Sequence, residues 1–578
     1  MSDTGWFDDS TLDERFPAWT RGNAADVFPE PFSPLGHSLV LNAMAAGLRD
    51  GYIAIGALDY REFVNPEQPD LFKMFGGYPY NPLTMTRILG ARMPGATPEM
   101  IDKAFFDERD EVPPYEHHDW HDSAKHEAKL GASMAWAMST DALPNLDADK
   151  ALAQRLREDR PNLTGLTDSA LHARARAMVP FIHQTFENAM IVSSLSALGT
   201  GALGAVCEGL GDPTMAIRLL AGIEVDSSAP SHAMWELSRL AQQAPAVIAA
   251  FEAGADQTLE KLRASDNPDA KTFVTRFDRF LFDHGSRAQN EYDPRSSSWE
   301  VDPRSALLAI DLMRRSDDAL SPSIRAATSV TERDRIAAEV RDRIASDPET
   351  AGLFEAALQS ARLFLAGRER AKTNVVRVIN ELRVALREYG RRLVERGVIE
   401  QAEHVFMVTN AELDQLRAEP ESFKEVIADR WKQYRNLFDY EPVFVVNGRV
   451  PSLSEMRRRD AKGIAKATAG TVLAGAAGSG GIGRGRAAIV LDAARPDGFE
   501  PGDVLIAPQT DPSWIPMMVA ASAVVVNVGA QGSHAMIVSR ELGIPCVVSV
   551  ASGTDKIPSG AMVTVNGTTG TVTIETVP

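Results

Sequence analysis

The texture of this chain changes abruptly near residue 470, and that change requires at least two differently built parts. From about Ala151 to Arg435, apolar residues recur at three and four with Arg and Glu between them. ALHARARAMVPFIHQTFENAMIVSSLSAL (170–198) and AALQSARLFLAGRERAKTNVVRVINELRVALREYGRRLVERG (356–397) are examples, and this is the pattern of amphipathic helices. The second stretch spans one very long helix or a kinked pair. A small-residue run follows, ATAGTVLAGAAGSGGIGRG (467–485), with the composition of a linker. Beyond it the last 98 residues carry only 13 charged side chains, against 24% for the whole chain. Short β-branched runs (RAAIVL, GDVLIAP, SAVVVNV, IPCVVSV, MVTVN, TVTIE) predict strands. Between two of them a helix is expected over roughly Ala535 to Leu542, stopped by Gly543 and Pro545. The predicted fold class is multidomain α+β. It comprises a large, mainly α-helical region over 1–465, a flexible hinge over 466–485, and a small β/β/α domain over 486–578.

At 578 residues the chain is too long for a single core. The first 110 residues are rich in Pro, Gly and aromatics, as in FPEPFSPLG (28–36) and FGGYPYNP (75–82), with a helix expected from His37 to Arg49 between them. The formal charge of -19 and the lack of any basic run argue against a nucleic-acid partner. Two cysteines, Cys207 and Cys546, can build neither a disulfide framework nor a cysteine-based zinc site. MSDTGWFDDSTLDERF lacks the basic and apolar regions of a signal peptide, so a cytoplasmic address is expected. Pro512 to Val538 carries no Asp, Glu, Lys or Arg. Its prolines, glycines and polar residues nonetheless predict a buried helix, a buried strand and a polar loop rather than a membrane span.

Several motifs invite a functional reading. GSGGIG (478–483) fits the dinucleotide fingerprint by letter, but a linker precedes it and a β-branched run follows, so a hinge is the better reading. No phosphate-binding G-x-x-x-x-G-K-[ST] loop occurs. HHDWH (117–121) places three histidines beside Asp119, a metal-ligating composition, yet its flanks read as an exposed loop with surface histidines, and no metal site is assigned. DHGSRAQNEYDPRSSSW (283–299) gathers His284, Arg287, Glu291 and Arg295 around a glycine turn. It reads equally as a helix-capping network or as an anion or hydroxyl pocket.

The strongest constellation is GAQGSHAMIVSRELGIPCVV (529–548). A buried strand ends in a glycine-rich loop, and His534 stands at the entry of the next helix. A phosphate carried on this imidazole would meet free backbone N–H groups at the positive helix end. Ser533 can cap the helix or hydrogen-bond the phosphate, and the glycines let another molecule's phosphate approach closely.

This run resembles the phosphohistidine signature of the swivelling domain in phosphoenolpyruvate-utilising phosphotransferases. Gly529, Ser533, His534, Ala535, Ile537, Arg540, Glu541, Gly543, Ile544, Pro545, Val547 and Val548 match it. Gly532 stands where relatives often have Thr. GDVLIAPQTDPSW, with Thr510, Asp511 and Trp514, and VNGTTGTV match further parts of that domain. The resemblance implies that His534 is phosphorylated and shuttles its phosphoryl group between two sites. It also implies that Gly532, Ser533, Thr510 and Arg540 support the phosphate loop. TRGNAADVFPEPFSPLG (20–36), DHGSRAQNEYD, REYGRRLVERGVIEQAEHVFMVTNAEL and FVVNGRVP are similar to the acceptor-binding region of rifampicin phosphotransferases. They are similar also to the phosphohistidine subunit of phenylphosphate-synthase-type enzymes. Gly285, Arg287, Glu291 and Asp293 match a G-H-R … E-x-D pattern, with Ser286 in the His place.

The resemblance covers a phosphocarrier and an acceptor region, without an ATP-grasp domain before them or a TIM barrel after them. It therefore implies a two-component, ATP-dependent phosphotransferase of dikinase type. ATP and Mg²⁺ would be bound by a separate ATP-grasp partner, and a small phenolic compound, for instance a hydroxyphenyl ketone, would accept the phosphoryl group. By context His37, His284 and Glu291 are candidate bases, with Arg287 beside them in the acceptor pocket. An antibiotic-phosphorylating component and a protein phosphorelay without a small-molecule acceptor are the alternatives.

Overall fold

Apolar residues at helical spacing form helices where the pattern places them. The helices used below are α1 (Asn42–Ala54), α2 (Val179–Gly209), α3 (Thr214–Leu219), α4 (Ala229–Gln243), α5 (Pro268–His284) and α6 (Arg304–Arg314). They continue with α7 (Pro322–Ile344), α8 (Pro348–Glu395), α9 (Ile515–Ala520) and α10 (His534–Leu542). The structure is a computed structural model. It describes residues 12, 15–63, 65, 67, 71–106, 109, 111–459, 465–493, 495–496, 498–529 and 533–578. Helix α7 begins at a proline in its first turn, where the missing N–H leaves no partner unsatisfied. The 356–397 pattern resolves to one unbroken helix, α8, of 48 residues. The helix expected at 37–49 opens with a π-helical turn, His37–Leu41, before α1.

The chain divides into two compact units. The first comprises Met1–Leu195, Asn290–Ser296 and Arg370–Lys462, and the second Ser196–Gln289, Ser297–Glu369 and Gly463–Pro578. This differs from the expected division at 465, because 196–289 and 297–369 belong with the C-terminal residues rather than with the rest of the helical region. The architecture as a whole is multidomain α+β.

In the first unit a small antiparallel sheet runs in the order β2-β3-β1-β4, formed by β1 (Ala18–Thr20), β2 (Lys73–Phe75), β3 (Tyr78–Pro82) and β4 (Val445–Asn447). The aromatic, proline-rich N-terminal region thus finds its place as short buried strands around Trp19, Phe75 and Tyr80.

In the second unit eight strands form one sheet. They are β5 (Val472–Ala474), β6 (Ala476–Ser479), β7 (Ile482–Ile489), β8 (Val504–Ala507), β9 (Ala523–Val526), β10 (Cys546–Val548), β11 (Met562–Asn566) and β12 (Thr571–Thr576). Their order is β5-β12-β11-β7-β8-β9-β10-β6, with β7 to β10 parallel and every other pairing antiparallel. The central strands VLIA, AVVV and CVV are apolar at every position, as strands covered on both faces must be. Alternation divides them between two cores. Val504, Ile506, Ala523, Val525 and Val547 pack with Val563, Val565, Val572 and Ile574. Leu505, Ala507, Val524, Val526, Cys546 and Val548 face the other way. They join Trp514, Ile515, Met518 and Met536 of the helix layer in a cluster that also holds Trp235, Phe277, Phe280, Trp299, Leu307 and Ile310. The C-terminal module therefore shares one apolar core with α4, α5 and α6, where a separate core was expected.

The glycine-rich run read as a hinge at 466–485 is largely strand: β5, β6 and the first half of β7 fall within it. Its glycines serve close approach. A Cβ at Gly478 would lie 2.9 Å from the carbonyl oxygen of Cys546, at Gly483 2.3 Å from that of Ser522, and at Gly485 2.5 Å from that of Gly502. This strand geometry also removes the dinucleotide reading of GSGGIG, since no helix follows it.

The uncharged 512–538 stretch forms α9, β9 and the start of α10, all buried, as expected. Among the described residues one helical stretch, Asp168–Gly209, which contains α2, is long and apolar enough to cross a membrane by length and composition. Phe186, Val192, Leu195 and Leu203 on α2 are buried in protein.

Candidate functional site

Strands β8 and β9 run parallel, so their C-terminal ends lie side by side, and the loops leaving them carry Thr510 and the segment that leads to His534. Ser533 takes extended backbone geometry at the N-cap of α10, and the helix begins with His534 itself. The imidazole is 8% exposed, and its Nδ1 lies 3.1 Å from Oγ1 of Thr510, itself buried. The hydroxyl of Ser533 is buried and has no hydrogen-bond partner among the described residues. It lies close to Gly529, where a Cβ would come within 3.0 Å of it. His534, Thr510 and Ser533 thus converge at the C-terminal ends of these two strands, beside the first-turn amides of α10. Gly532 lies outside the described residues. Asp511 accepts from the backbone N–H of Ser513 at 2.8 Å, which shapes the turn that delivers Thr510 and the buried Trp514.

The structure places Arg540 elsewhere. Its Nε donates to the carbonyl of Gly478 at 2.7 Å and its Nη2 lies 3.1 Å from Sδ of Met536, in the last turn of α10. Six residues of helix separate it from His534, about 9 Å along the axis, so its described contacts lie at the other end of α10. The next residue, Glu541, is 4% exposed, and burial pushes its carboxyl up to about 8, against a hydrogen bond from Ser228 that lowers it. Helix α10 is therefore tied at Glu541 to the residue that precedes α4.

The acceptor candidates fall in both units. His284 ends α5, its ring 5.5 Å from that of Phe280, and Arg287 is buried in the turn after it, where its carbonyl accepts from the N–H of Trp299 at 2.9 Å. Both belong to the second unit. His37 and Glu291 belong to the first. His37 is half-buried and opens the π-helical turn, while Glu291 is buried with its carboxylate 3.3 Å from Nζ of Lys372.

Beside Glu291, Asp293 is fully buried. Its carboxylate accepts from the N–H and hydroxyl of Ser33, at 3.0 and 2.6 Å, and from the N–H of Arg295 at 3.0 Å. A Cβ at Gly36 would sit 2.8 Å from that carboxylate, so SPLG is shaped around Asp293. Arg383, fully buried, donates to the carbonyls of Glu291 and Asp293 at 2.7 and 3.2 Å. Arg295 pairs with Glu30 at 2.8 Å and lies over the ring of Tyr434. Ser33, Lys372 and Arg383 were not singled out from the sequence. Ser33 lies 260 residues from its partner, a separation that leaves no local signal.

HHDWH divides. His117 and His118 are exposed, as expected, whereas His121 is buried against Tyr115, and burial, then His118 and His117, lower it to about 4. Among the described residues, the one group of three that could hold a metal ion is instead Asp50, His183 and Glu187, with ligand atoms within 4.8 Å of one another. Arg49 already grips Asp50 through two hydrogen bonds of 2.6 and 2.8 Å, which satisfies its charge.

In comparison with known proteins, the matching family models fall almost wholly in the second unit. The model of the rifampicin phosphotransferase fourth domain matches residues 185–369, and that of the PEP-utilising enzyme mobile domain matches residues 499–570. An uncharacterized protein of Mycobacterium tuberculosis is 28% identical over 584 residues, covering 98% of this chain and 62% of its own length. The uncharacterized phosphotransferase YvkC of Bacillus subtilis is 26% identical over 374 residues, covering 62% of this chain and 43% of its own. Rifampicin phosphotransferase of Streptomyces sviceus is 30% identical over 226 residues, covering 39% of this chain and 25% of its own. The chain thus spans less than two thirds of the length of these relatives.

Proposed function

We propose, since the chain belongs to the phosphoenolpyruvate-utilising phosphotransferase family, that it is the phosphohistidine and acceptor-binding component of an ATP-dependent phosphotransferase of dikinase type. The observation that carries this reading is the pairing of His534 Nδ1 with Thr510 Oγ1 at the entry of α10. With the ring proton on Nδ1 and donated to Thr510, the lone pair of Nε2 is left to attack phosphorus. An N–P bond forms as the donor's P–O bond breaks. The positive charge gained by the ring rests on the Nδ1–H that Thr510 accepts. The phosphoryl oxygens then lie beside the hydroxyl of Ser533 and the first N–H groups of α10. In the second half-reaction an acceptor oxygen attacks the same phosphorus, the N–P bond breaks, and the hydroxyl proton passes to a base of the acceptor region. ATP, with Mg²⁺, supplies the phosphoryl group and is assigned to a separate ATP-grasp component.

The acceptor we propose is a phenolic hydroxyl, with a hydroxyphenyl ketone as the specific case. Support comes from the first unit, where Phe28 meets Phe32, Phe72 and Tyr292 edge to face at 5.5, 5.5 and 5.8 Å, and where Tyr292 directly follows the buried Glu291 in sequence. A phenol, with an ordinary pKa near 10, needs such a base nearby. The match to the rifampicin phosphotransferase fourth domain favours a second reading, phosphorylation of an antibiotic hydroxyl.

One experiment tests the core of the proposal. The chain is incubated with an ATP-grasp protein of the same source and labelled ATP, and acid-labile, base-stable phosphate is followed on wild type and His534→Ala. Labelling of the wild type alone is expected, and equal labelling of the variant would overturn the assignment. Adding a panel of phenols and antibiotics then reports which class discharges the label.

A further inference from the structure

A cavity of about 510 Å³ opens within the second unit, between α3 and α7 on one side and the β6–β7 turn with the last turn of α10 on the other. It lies at the C-terminal end of α10, whereas His534 opens that helix. Three guanidinium groups line it, those of Arg218, Arg325 and Arg540, against one carboxylate, Glu332. Glu332 is already shared between Arg218 and Arg335, which hold it down at about 2.

The other two arginines have no acidic partner among the described residues. Arg325 donates to the carbonyl of Val519 at 3.0 Å, and Arg540 to the carbonyl of Gly478 and to Sδ of Met536. Burial lowers both from the usual arginine value, Arg540 to about 10. Half-buried cations without counter-charges are costly to a fold, and neither is explained by the chemistry at His534. Arg325 comes from α7 and Arg540 from α10, so an anion meeting both would bridge the helical segments and the phosphohistidine module. The volume suits a small molecule, and a guanidinium fork matches the oxygens of a phosphate group.

We propose that this cleft binds a small phosphate-bearing anion through Arg325 and Arg540, and that the bound anion braces the module against α7. The site is distinct from the one around His534, and the proposal does not depend on the phosphotransfer reading.

The test is calorimetric titration of the purified full chain at low ionic strength with inorganic phosphate, pyrophosphate and phenyl phosphate. The three probes separate an inorganic ligand from a phosphorylated organic one. Wild type and His534→Ala are expected to bind at least one probe alike, and to melt at higher temperature with it. Arg325→Gln is expected to weaken binding by about tenfold, the loss of roughly 1.4 kcal/mol, while its own melting temperature without ligand reports that it folds. Arg540→Gln should act likewise. Should that variant melt early, Arg325→Gln decides alone. Failure of all three probes to bind wild type overturns the proposal. So does binding that His534→Ala abolishes and Arg325→Gln leaves intact, which would place the anion at the histidine.

Discussion

Oγ1 of Thr510 lies 3.1 Å from Nδ1 of His534, joining the loop after one parallel strand to the helix after the next. On the proposed phosphohistidine reading, the contact sets which nitrogen is held by the protein and which is turned to phosphorus. A hydrogen bond to a group that becomes charged is worth about 1.5–3 kcal/mol. Thr510→Val should therefore slow phosphorylation of His534 by roughly 10- to 150-fold, and Thr510→Ser should restore most of the rate. Rapid-quench measurement of acid-labile phosphate decides it, and a Val variant as fast as wild type would remove Thr510 from the mechanism.

Glu541 gives the fold a pH dependence of unusual sign for a carboxylate. Burial raises its carboxyl from the usual 4.5 to about 8, so the folded state favours the neutral acid. The stability this contributes is complete below about pH 4.5 and is lost as pH rises through 8. The groups that act on it are Ser228, which lowers it, and Glu369 and Glu224, which raise it. Glu541→Gln has no proton to lose. The melting temperature of the variant minus that of wild type should grow steadily from pH 5.5 to pH 8.5. Parallel curves would show that Glu541 is ordinary.

Gly485→Ala discriminates a strand from a linker. In a linker the substitution is neutral or slightly stabilising. Here the new methyl would stand 2.5 Å from the carbonyl oxygen of Gly502 and 2.8 Å from the hydroxyl of Ser522. A loss of about 1–3 kcal/mol is expected from the overpacking, read as a shift of the urea midpoint at constant slope. An unchanged midpoint would return the run to its reading as a hinge.

Both thiols should be silent in the folded protein. Burial raises Cys207 to about 11 and Cys546 to about 12. At pH 8 a disulfide reagent should titrate neither until denaturant is added, whereupon both react. A fast native phase of one equivalent would contradict the packing of one of them.

How much of this was legible in the sequence depended on whether the signal was local. The entry of α10 at His534, its stop at Gly543 and the doubly covered strands VLIA and AVVV are written in consecutive residues and appear as expected. Arg540 shows that a shared motif need not mean a shared place: six residues along a helix put it at the far end of α10 from His534. The glycines of 467–485 misled because a flexible linker and strands in tight contact use the same residue. His121 looked like its exposed neighbours and is buried. The Ser33–Asp293 pair, and the grouping of Asp50 with His183 and Glu187, join residues that no local pattern connects.

The apolar cluster shared by Trp514, Ile515, Met518 and Met536 with Trp235, Leu307 and Ile310 has a thermal consequence. Any departure of the histidine module from α4 and α6 wets that cluster, and wetting apolar surface raises heat capacity. The grip of the module on its helices is therefore temperature-tuned. It weakens on cooling, as hydrophobic association does, so cold loosens the packing of this module on α4 and α6 and warmth tightens it.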